Sequence, residues 1–413
     1  MKIISAEKYY FITGGASRVF FETNKLLEDK GHQVIPFTGR YPENFKSPYE
    51  QYFVPRFTLL SGEENSKVSI YKYLKAFFDA LYAFDVEKAV SRMIEDHHPD
   101  MAHLHTILYQ LSPSLIKVLK RYDVPVVQTL HDFSLYCSSR YLYSSGEICE
   151  RCKGKKYFNV LLQNCYNRNF LMSFMSFSAK VFHNLLKLYP GEVDLFISPS
   201  RFLRDKMIEW GLPKEKIIHI DHFLSPARFP SPVNEKSDYF VFAGYLIRQK
   251  GIFTLLNAMK TVKNAKLVIL GRGPEKENVE KKIKEYRLDN VEMRGFQSGK
   301  KLFDTISKAQ FTVFPSEWYE TFGMGILESF FLGTPVIASD IGAYSELIHP
   351  GENGFVFEAG NHQLLSEKIN ELFADRSLSK KMARTARDHA VRNYNEDIHY
   401  QRLMSAYSKI KRT

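Results

Sequence analysis

The chain has 413 residues, more than one ordinary hydrophobic core accommodates, so two domains of about 200 residues each are expected. A hydrophobic content of 44% beside 25% charged residues excludes a disordered chain, and no window approaches the ~18 apolar residues of a membrane-spanning helix. The 57 basic and 46 acidic residues leave a net charge of +11, which suits a polyanionic partner: phosphate-bearing ligands, an anionic membrane surface or nucleic acid.

From Met1 to Phe20 there is neither a sustained apolar core nor a small-residue cleavage site. No signal peptide is expected, and the protein is expected in the cytoplasm. Short apolar runs then alternate with helical patterns, the sign of repeated βα units and parallel sheets. Strands are predicted at Lys2–Ser5, Gln33–Phe37, Met101–His105, Pro125–Leu130 and Asp194–Ser198. Between the first two, Val19, Phe20, Leu26 and Leu27 form the stripe of a helix stopped by Gly31.

An insertion, residues 137–166, follows His131-Asp132 and holds all four cysteines: Cys137, Cys149, Cys152 and Cys165. Their spacing, C-x11-C-x2-C-x12-C, suits a closed tetrahedral structural zinc site. Four unrelated buried thiols, a redox pair and an iron–sulfur cluster are the alternatives. From Cys137 to Pro190, eight Lys/Arg stand against two Glu, amid Phe170, Met172, Phe174, Met175, Phe177, Val181, Phe182, Leu185 and Leu186. Both a packed helix with solvated lysines and a segment docking peripherally on the inner face of a membrane fit this mixture.

Pro226, Pro230, Ser231 and Pro232 punctuate an aperiodic stretch near Asp221–Asp238, which divides the chain into domains 1–222 and 223–391. The second half repeats the pattern, with strands predicted at Tyr239–Ala243, Leu267–Leu270, Val291–Arg294, Phe311–Phe314, Val336–Ala338 and Phe355–Phe357. Two such series mean two doubly wound α/β domains. A last helical run, about Ser377 to Lys411, is long enough to return to the first domain, and residues 392–413 are expected to pack there.

Phe314 to Ile348 is the most informative segment: FPSEWYETFGMGILESFFLGTPVIASDIGAYSELI. A strand ends at Phe314, a loop carries Glu317 and Glu320, and Gly323 and Gly325 lead into a helix containing Glu328. Free N–H groups at that helix start make an anion site, and small residues admit a phosphate or sugar close to the backbone. Glu328 stands among Met324, Ile326, Leu327, Phe330 and Phe331, where a carboxylate is costly unless hydroxyls such as a ribose diol satisfy it. The bland alternative is a capping Glu320 and a solvated Glu328. Gly333-Thr334-Pro335-Val336-Ile337-Ala338-Ser339 and the Gly342 turn with Glu346 favour the functional reading.

With its E-x7-E pair and G-x-P-V-I-A-S strand, the sequence resembles the retaining glycosyltransferases of family 4, which have the GT-B fold: two Rossmann-like domains facing a central cleft. Gly14-Gly15-Ala16 with Arg18, Lys30 to Val34, His103 to His105, Thr129 to Asp132, Ser198 to Ser200, Gly244 to Gly251 and Leu270 to Pro274 extend the resemblance over nearly the whole chain. It implies transfer from a nucleoside-diphosphate sugar with the anomeric configuration kept. By family role Lys250 and Arg248 would neutralise the leaving diphosphate, and Gly14 and Gly15 would approach it from the opposite domain. Glu320 would orient the sugar hydroxyls, and the amides around Phe322, Gly323, Met324 and Gly325 would contact the sugar. Glu328 would bind the ribose, and His131 would line the sugar pocket. Fixed cations and backbone donors at a leaving group are the usual largest catalytic contribution.

Two departures stand out. Tyr245 replaces the arginine that commonly follows the glycine at 244, so Arg248 would have to supply the guanidinium. His219-Ile220-Asp221-His222-Phe223 replaces a proline-asparagine-glycine turn, a change expected to touch the linker and not the chemistry. No Asp-x-Asp triplet is present, so no catalytic metal is expected. His97-His98 and His103/His105 read as a solvated pair and a cleft edge. The acceptor, a glycan or lipid-linked molecule of cell-surface polysaccharide synthesis, would be set by Tyr109–Ser114 and Cys137–Tyr166; no nucleic-acid partner is expected. A catalytically inactive scaffold of the same fold, binding glycan or a polyanion, is the alternative, and a phosphorylase-like or epimerase-like enzyme lacks the residues it would need.

Overall fold

The predicted apolar runs become two six-stranded sheets in which every pairing is parallel. The computed structural model describes residues 1–56, 70–108, 110–166, 169–233 and 235–410. The first sheet comprises β1 (Lys2–Ala6), β2 (Gln33–Phe37), β3 (Met101–Leu104), β4 (Val126–Thr129), β5 (Leu195–Ser198) and β6 (Ile217–His219), in the order 6-5-4-3-1-2. The second comprises β7 (Tyr239–Ala243), β8 (Lys266–Leu270), β9 (Val291–Gly295), β10 (Thr312–Phe314), β11 (Val336–Ser339) and β12 (Gly354–Phe357), in the order 9-8-7-10-11-12. The predicted strands agree with these to within a residue at each end. The three-residue edge strand β6 is not among the predicted runs, nor are the two-residue pairs Gly39–Arg40 with Val54–Pro55 and Tyr143–Ser144 with Glu147–Ile148; all are too short to show a period.

Seven helices matter below: α1 (Gly15–Asp29), α2 (Ile70–Leu81), α3 (Phe170–Leu185), α4 (Ile252–Met259), α5 (Met324–Phe331), α6 (Arg376–Asn393) and α7 (Glu396–Ile410). Both faces of each sheet are covered, which is why the strands read as unbroken apolar runs. Ile4 and Ala6 of β1 enter one core with Ile35, Leu104 and Val126, while Ile3 enters the opposite core with Leu27 and Val127. In β7, Val241 faces Ile326 and Phe330, and Phe240 and Phe242 face Leu255 and Leu256. Among the described residues no helix is long and apolar enough to cross a membrane.

The expected single helical run from Ser377 to Lys411 is instead two helices. Asn395 makes the break: its side chain accepts from Ile398 N at 3.0 Å, starting α7, and donates to Val391 O at 2.9 Å, closing α6. The break lets one segment serve two cores. Ala386, Ala390 and Tyr394 pack with the second sheet, whereas Leu403, Ala406 and Tyr407 pack with β1, β3 and β5 of the first. Residues 411–413 of the expected run, like Tyr109, lie outside the described residues.

Candidate active site in the interdomain cleft

In the second sheet the strand order reverses between β7 and β10, the point where a doubly wound sheet opens a crevice at its carboxyl edge. A cavity of about 310 Å³ lies there, lined by Ala243 and Gly244 after β7 and by Ser316, Glu320 and the start of α5 after β10. Gly15, Ala16 and His131 close it from the first domain, and Lys250 and His222 also line it. Phe322, Gly323, Met324 and Gly325 form its wall, so the helix N-terminus with its unpaired amides faces the space.

Glu320 is the electrostatic centre. Its Oε1 accepts from Lys250 Nζ at 2.6 Å, Ser316 Oγ at 2.6 Å and Trp318 Nε1 at 2.7 Å. Burial pushes its pKa up, but the Lys250 charge and these hydrogen bonds outweigh that and hold it below the ordinary carboxylate value. Its backbone rests on the Gly342 turn: Ala343 N donates to Glu320 O at 2.9 Å, and a Cβ on Gly342 would lie 2.4 Å from that oxygen. Ser339 Oγ, from the end of β11, fixes the other side of the loop by donating to Ser316 O at 2.6 Å. Lys250 is aimed by the turn Arg248–Lys250, which Gly251 ends at φ 68° before α4. A Cβ on Gly251 would meet Pro315 O at 1.6 Å, a backbone overlap that no rotamer relieves. Gly251→Ala is therefore expected to destabilise the protein by more than about 3 kcal/mol, read as a lower denaturation midpoint. A midpoint matching the wild type would contradict this packing.

The histidines form a buried stack. His103 and His105 stack at 4.6 Å between ring centroids, His105 Nδ1 and His131 Nε2 share a hydrogen bond of 2.9 Å, and His131 stacks on His222 at 5.4 Å. His222 then meets Phe322 edge-on at 5.1 Å. His103 is anchored from both nitrogens, to Tyr407 Oη and Thr129 Oγ1, each at 2.7 Å. Burial depresses His103 to about 3 and His131 to about 4, and holds His105 and His222 well below the usual imidazole value. All four are neutral at pH 7. The change at His219–Phe223 thus reaches beyond the linker, since His222 is part of the cavity wall. His105 supports His131 from behind.

A second cavity of about 280 Å³ shares Ala243, Gly244, Phe314 and Gly325 with the first and extends to Tyr245, Arg272, Phe296, Gln297 and Glu328. The Arg272 guanidinium lies 4.5 Å from the Phe296 ring centre, making a flat cationic–aromatic edge. Glu328 is buried and forms an ion pair with Arg18 of α1, across the cleft. Burial raises its pKa, and Arg18 and Arg228 counter part of the rise. The domains are further joined by Thr321 Oγ1 donating to His131 O at 2.9 Å and by Glu346, which accepts from Arg201 N and Phe202 N.

Several expected residues are not assembled with these. Arg248 points to Glu275 at 3.2 Å, is 71% exposed and does not line either cavity. Gly14 caps α1 behind Gly15; its N–H and that of Thr13 are taken by Ser17 Oγ at 3.1 and 2.9 Å. The cysteines come near one another, yet among the described residues no group of three or more His, Cys, Asp or Glu is arranged to hold a metal ion. Burial pushes Cys152 up to about 12 and Cys165 to about 11, with neighbouring thiols adding to both shifts, so both are thiols at neutral pH. Cys137 Sγ contacts Ser139 Oγ at 3.1 Å. The expected structural zinc gains no support from this arrangement.

Two Rossmann-like domains facing a cleft with this anion-ready helix start define the GT-B class of glycosyltransferases. Residues 13–228, more than half of the chain, match the model of Glycosyltransferase Family 4, and residues 225–389 match that of Glycosyl transferases group 1. The chain belongs to glycosyltransferase family 4. It is 23% identical to N-acetyl-alpha-D-glucosaminyl L-malate synthase of Bacillus anthracis over 425 residues, covering 99% of this chain and 97% of the other. It is 25% identical over 231 residues to the capsular polysaccharide biosynthesis glycosyltransferase CapM of Staphylococcus aureus, covering 51% and 60%. Its fold superposes with a TM-score of 0.68 on Anabaena HepE in complex with UDP and glucose, at 19% identity and 99% coverage of both chains.

Proposed function

We propose that the protein moves a sugar, with retention of configuration and without a catalytic metal, from a nucleoside-diphosphate sugar to a glycan or lipid-linked acceptor in cell-surface polysaccharide synthesis. The observation that carries this reading is Glu320, held ionised by Lys250 beside the open N-terminus of α5. Residues 223–391 hold the donor, and residues 1–222 form the acceptor side. Glu320 orients the sugar hydroxyls and the amides of Gly323 to Gly325 meet the sugar, with His131 on the opposite wall. Lys250 and the α5 dipole stabilise the departing diphosphate, cations and amides taking the part a metal plays elsewhere. Glu328 binds the ribose once Arg18 yields it, and Arg272 with Phe296 borders the base. Relatives support the class of donor and product: HepE binds UDP and glucose, and CapM serves capsular polysaccharide biosynthesis.

The test is transfer from a panel of nucleoside-diphosphate sugars in the presence of a chelator, with the anomer of the product read by NMR. An inverted product, or activity restored only by Mg²⁺ or Mn²⁺, would refute the mechanism. The inactive-scaffold reading draws on Tyr245 and on Arg248 being engaged by Glu275; any transfer or donor hydrolysis removes it. Glu328→Ala should weaken binding of the free nucleoside diphosphate about 10- to 100-fold, the loss expected for hydrogen bonds to a charged group, measured by calorimetry. Unchanged affinity would take Glu328 out of the nucleotide site.

A further inference from the structure

We propose that the face built by α2, α3 and the short helix Asn159–Leu162 docks on an anionic lipid bilayer. Both α2 and the short helix pack against α3, and the Phe77 and Phe174 rings stack where α2 meets it. On these three adjoining helices Phe78, Leu162, Phe170 and Leu185 expose 60–72% of their area, and Leu171 and Phe174 of α3 are also exposed. Large apolar side chains grouped on adjoining helices mark an interaction surface, unlike scattered single ones.

Charge identifies the occupant. From Arg151 to Gly191 the sequence has seven Lys/Arg and no Asp or Glu. Lys155 and Lys156 stand before the short helix, separated from it by Tyr157 and Phe158, and Lys187 lies two residues past α3; all three are exposed and form no salt bridge among the described residues. Apolar side chains flanked by unpaired lysines suit the boundary between acyl chains and anionic headgroups. A second copy of this chain would bring like-charged lysines together across a two-fold axis, which disfavours a dimer. A nucleic acid would leave the leucines and phenylalanines unserved.

The opposite face of α3 explains how docking reaches the cleft. Lys180 Nζ donates to Ser134 O at 2.9 Å, and Ser176 Oγ to Ser138 Oγ at 2.7 Å, so α3 grips the loop that leaves His131-Asp132. A bilayer under α3 therefore lies beside the first-domain wall of the cavity, where a lipid-linked acceptor would enter. That last clause rests on the proposed function; the docking itself does not.

The experiment is co-sedimentation of the full chain, without nucleotide sugar, with phosphatidylcholine vesicles and with vesicles also containing phosphatidylglycerol. At about 1 kcal/mol per lysine, the anionic vesicles should bind on the order of 100-fold more tightly. Phe170→Ser with Leu185→Ser should weaken that binding at least about tenfold, and Lys155→Gln with Lys156→Gln likewise, at unchanged melting temperature because these side chains are exposed. Absence of binding to anionic vesicles, equal binding of wild type and both variants, or a dimer abolished by the Phe170/Leu185 pair would each overturn the proposal. Because no donor is present, failure here is distinct from failure to transfer sugar.

Discussion

Glu320→Gln is expected to lower the rate of sugar transfer about 10²- to 10³-fold without weakening binding of the free nucleoside diphosphate. The wild-type carboxylate gathers Lys250, Ser316 and Trp318 on one oxygen and is kept ionised in a buried site. Glutamine preserves the shape but removes the negative charge that fixes the Lys250 ammonium and accepts from sugar hydroxyls. An amide also turns one acceptor into a donor facing the same donors. The nucleotide itself contacts other groups, and a Lys250 released from its ion pair can only favour the diphosphate. Initial rates with a saturating donor, set beside calorimetric affinity for the nucleoside diphosphate, separate the two effects. Equal losses in both would show that Glu320 holds the nucleotide instead of the sugar.

Acidification is expected to destabilise the fold steeply between about pH 6.5 and pH 4. His131 and His399 have folded-state pKa values of about 4 and His103 of about 3, each depressed first by burial. An unfolded histidine titrates near 6.5, so within this window the unfolded chain takes up protons that the folded chain refuses. Stability is complete above about pH 7 and falls as pH drops. At pH 5 each such histidine costs about 2 kcal/mol, a large fraction of the ~5–15 kcal/mol that holds a domain together. Glu7, raised by burial to about 7, acts in the opposite sense and offsets roughly one histidine. Melting temperatures from pH 8 to pH 5 measure the net effect, and His399→Gln should flatten the curve by removing one proton-binding site. A melting temperature independent of pH would mean that the stack is hydrated and titrates normally.

Much of the donor side was legible because it is local. Glu320, Gly323, Gly325, Ser339 and Gly342 fall within 23 residues, and their roles follow from one strand end, one loop and one helix start. Glycine at 251 and 342 could be read as punctuation, though only the close approach to Pro315 and Glu320 explains why a side chain cannot stand there. The strands were equally readable, since parallel strands buried on both faces leave unbroken apolar runs between amphipathic helices.

What the chain's own order could not reveal is what meets across it. Arg18 and Glu328 are 310 residues apart and pair only because two domains close on one another. His103, His105, His131 and His222 look like unrelated histidines, and become a stack because the ends of β3 and β4 meet the linker, with Tyr407 of α7 bonded to His103 and His399 of α7 stacked on Phe223 of the linker. Arg248 stands two residues from Lys250 yet points elsewhere, because a 3₁₀ turn separates adjacent side chains by about 120° and Glu275 is within reach of only one. Hydrophobic period and turn residues are set by neighbours in sequence, so the sequence by itself determined the elements, the fold class and the E-x7-E loop. Partner choice among charged and aromatic groups depends on which elements pack side by side, and that was decided by the tertiary structure alone.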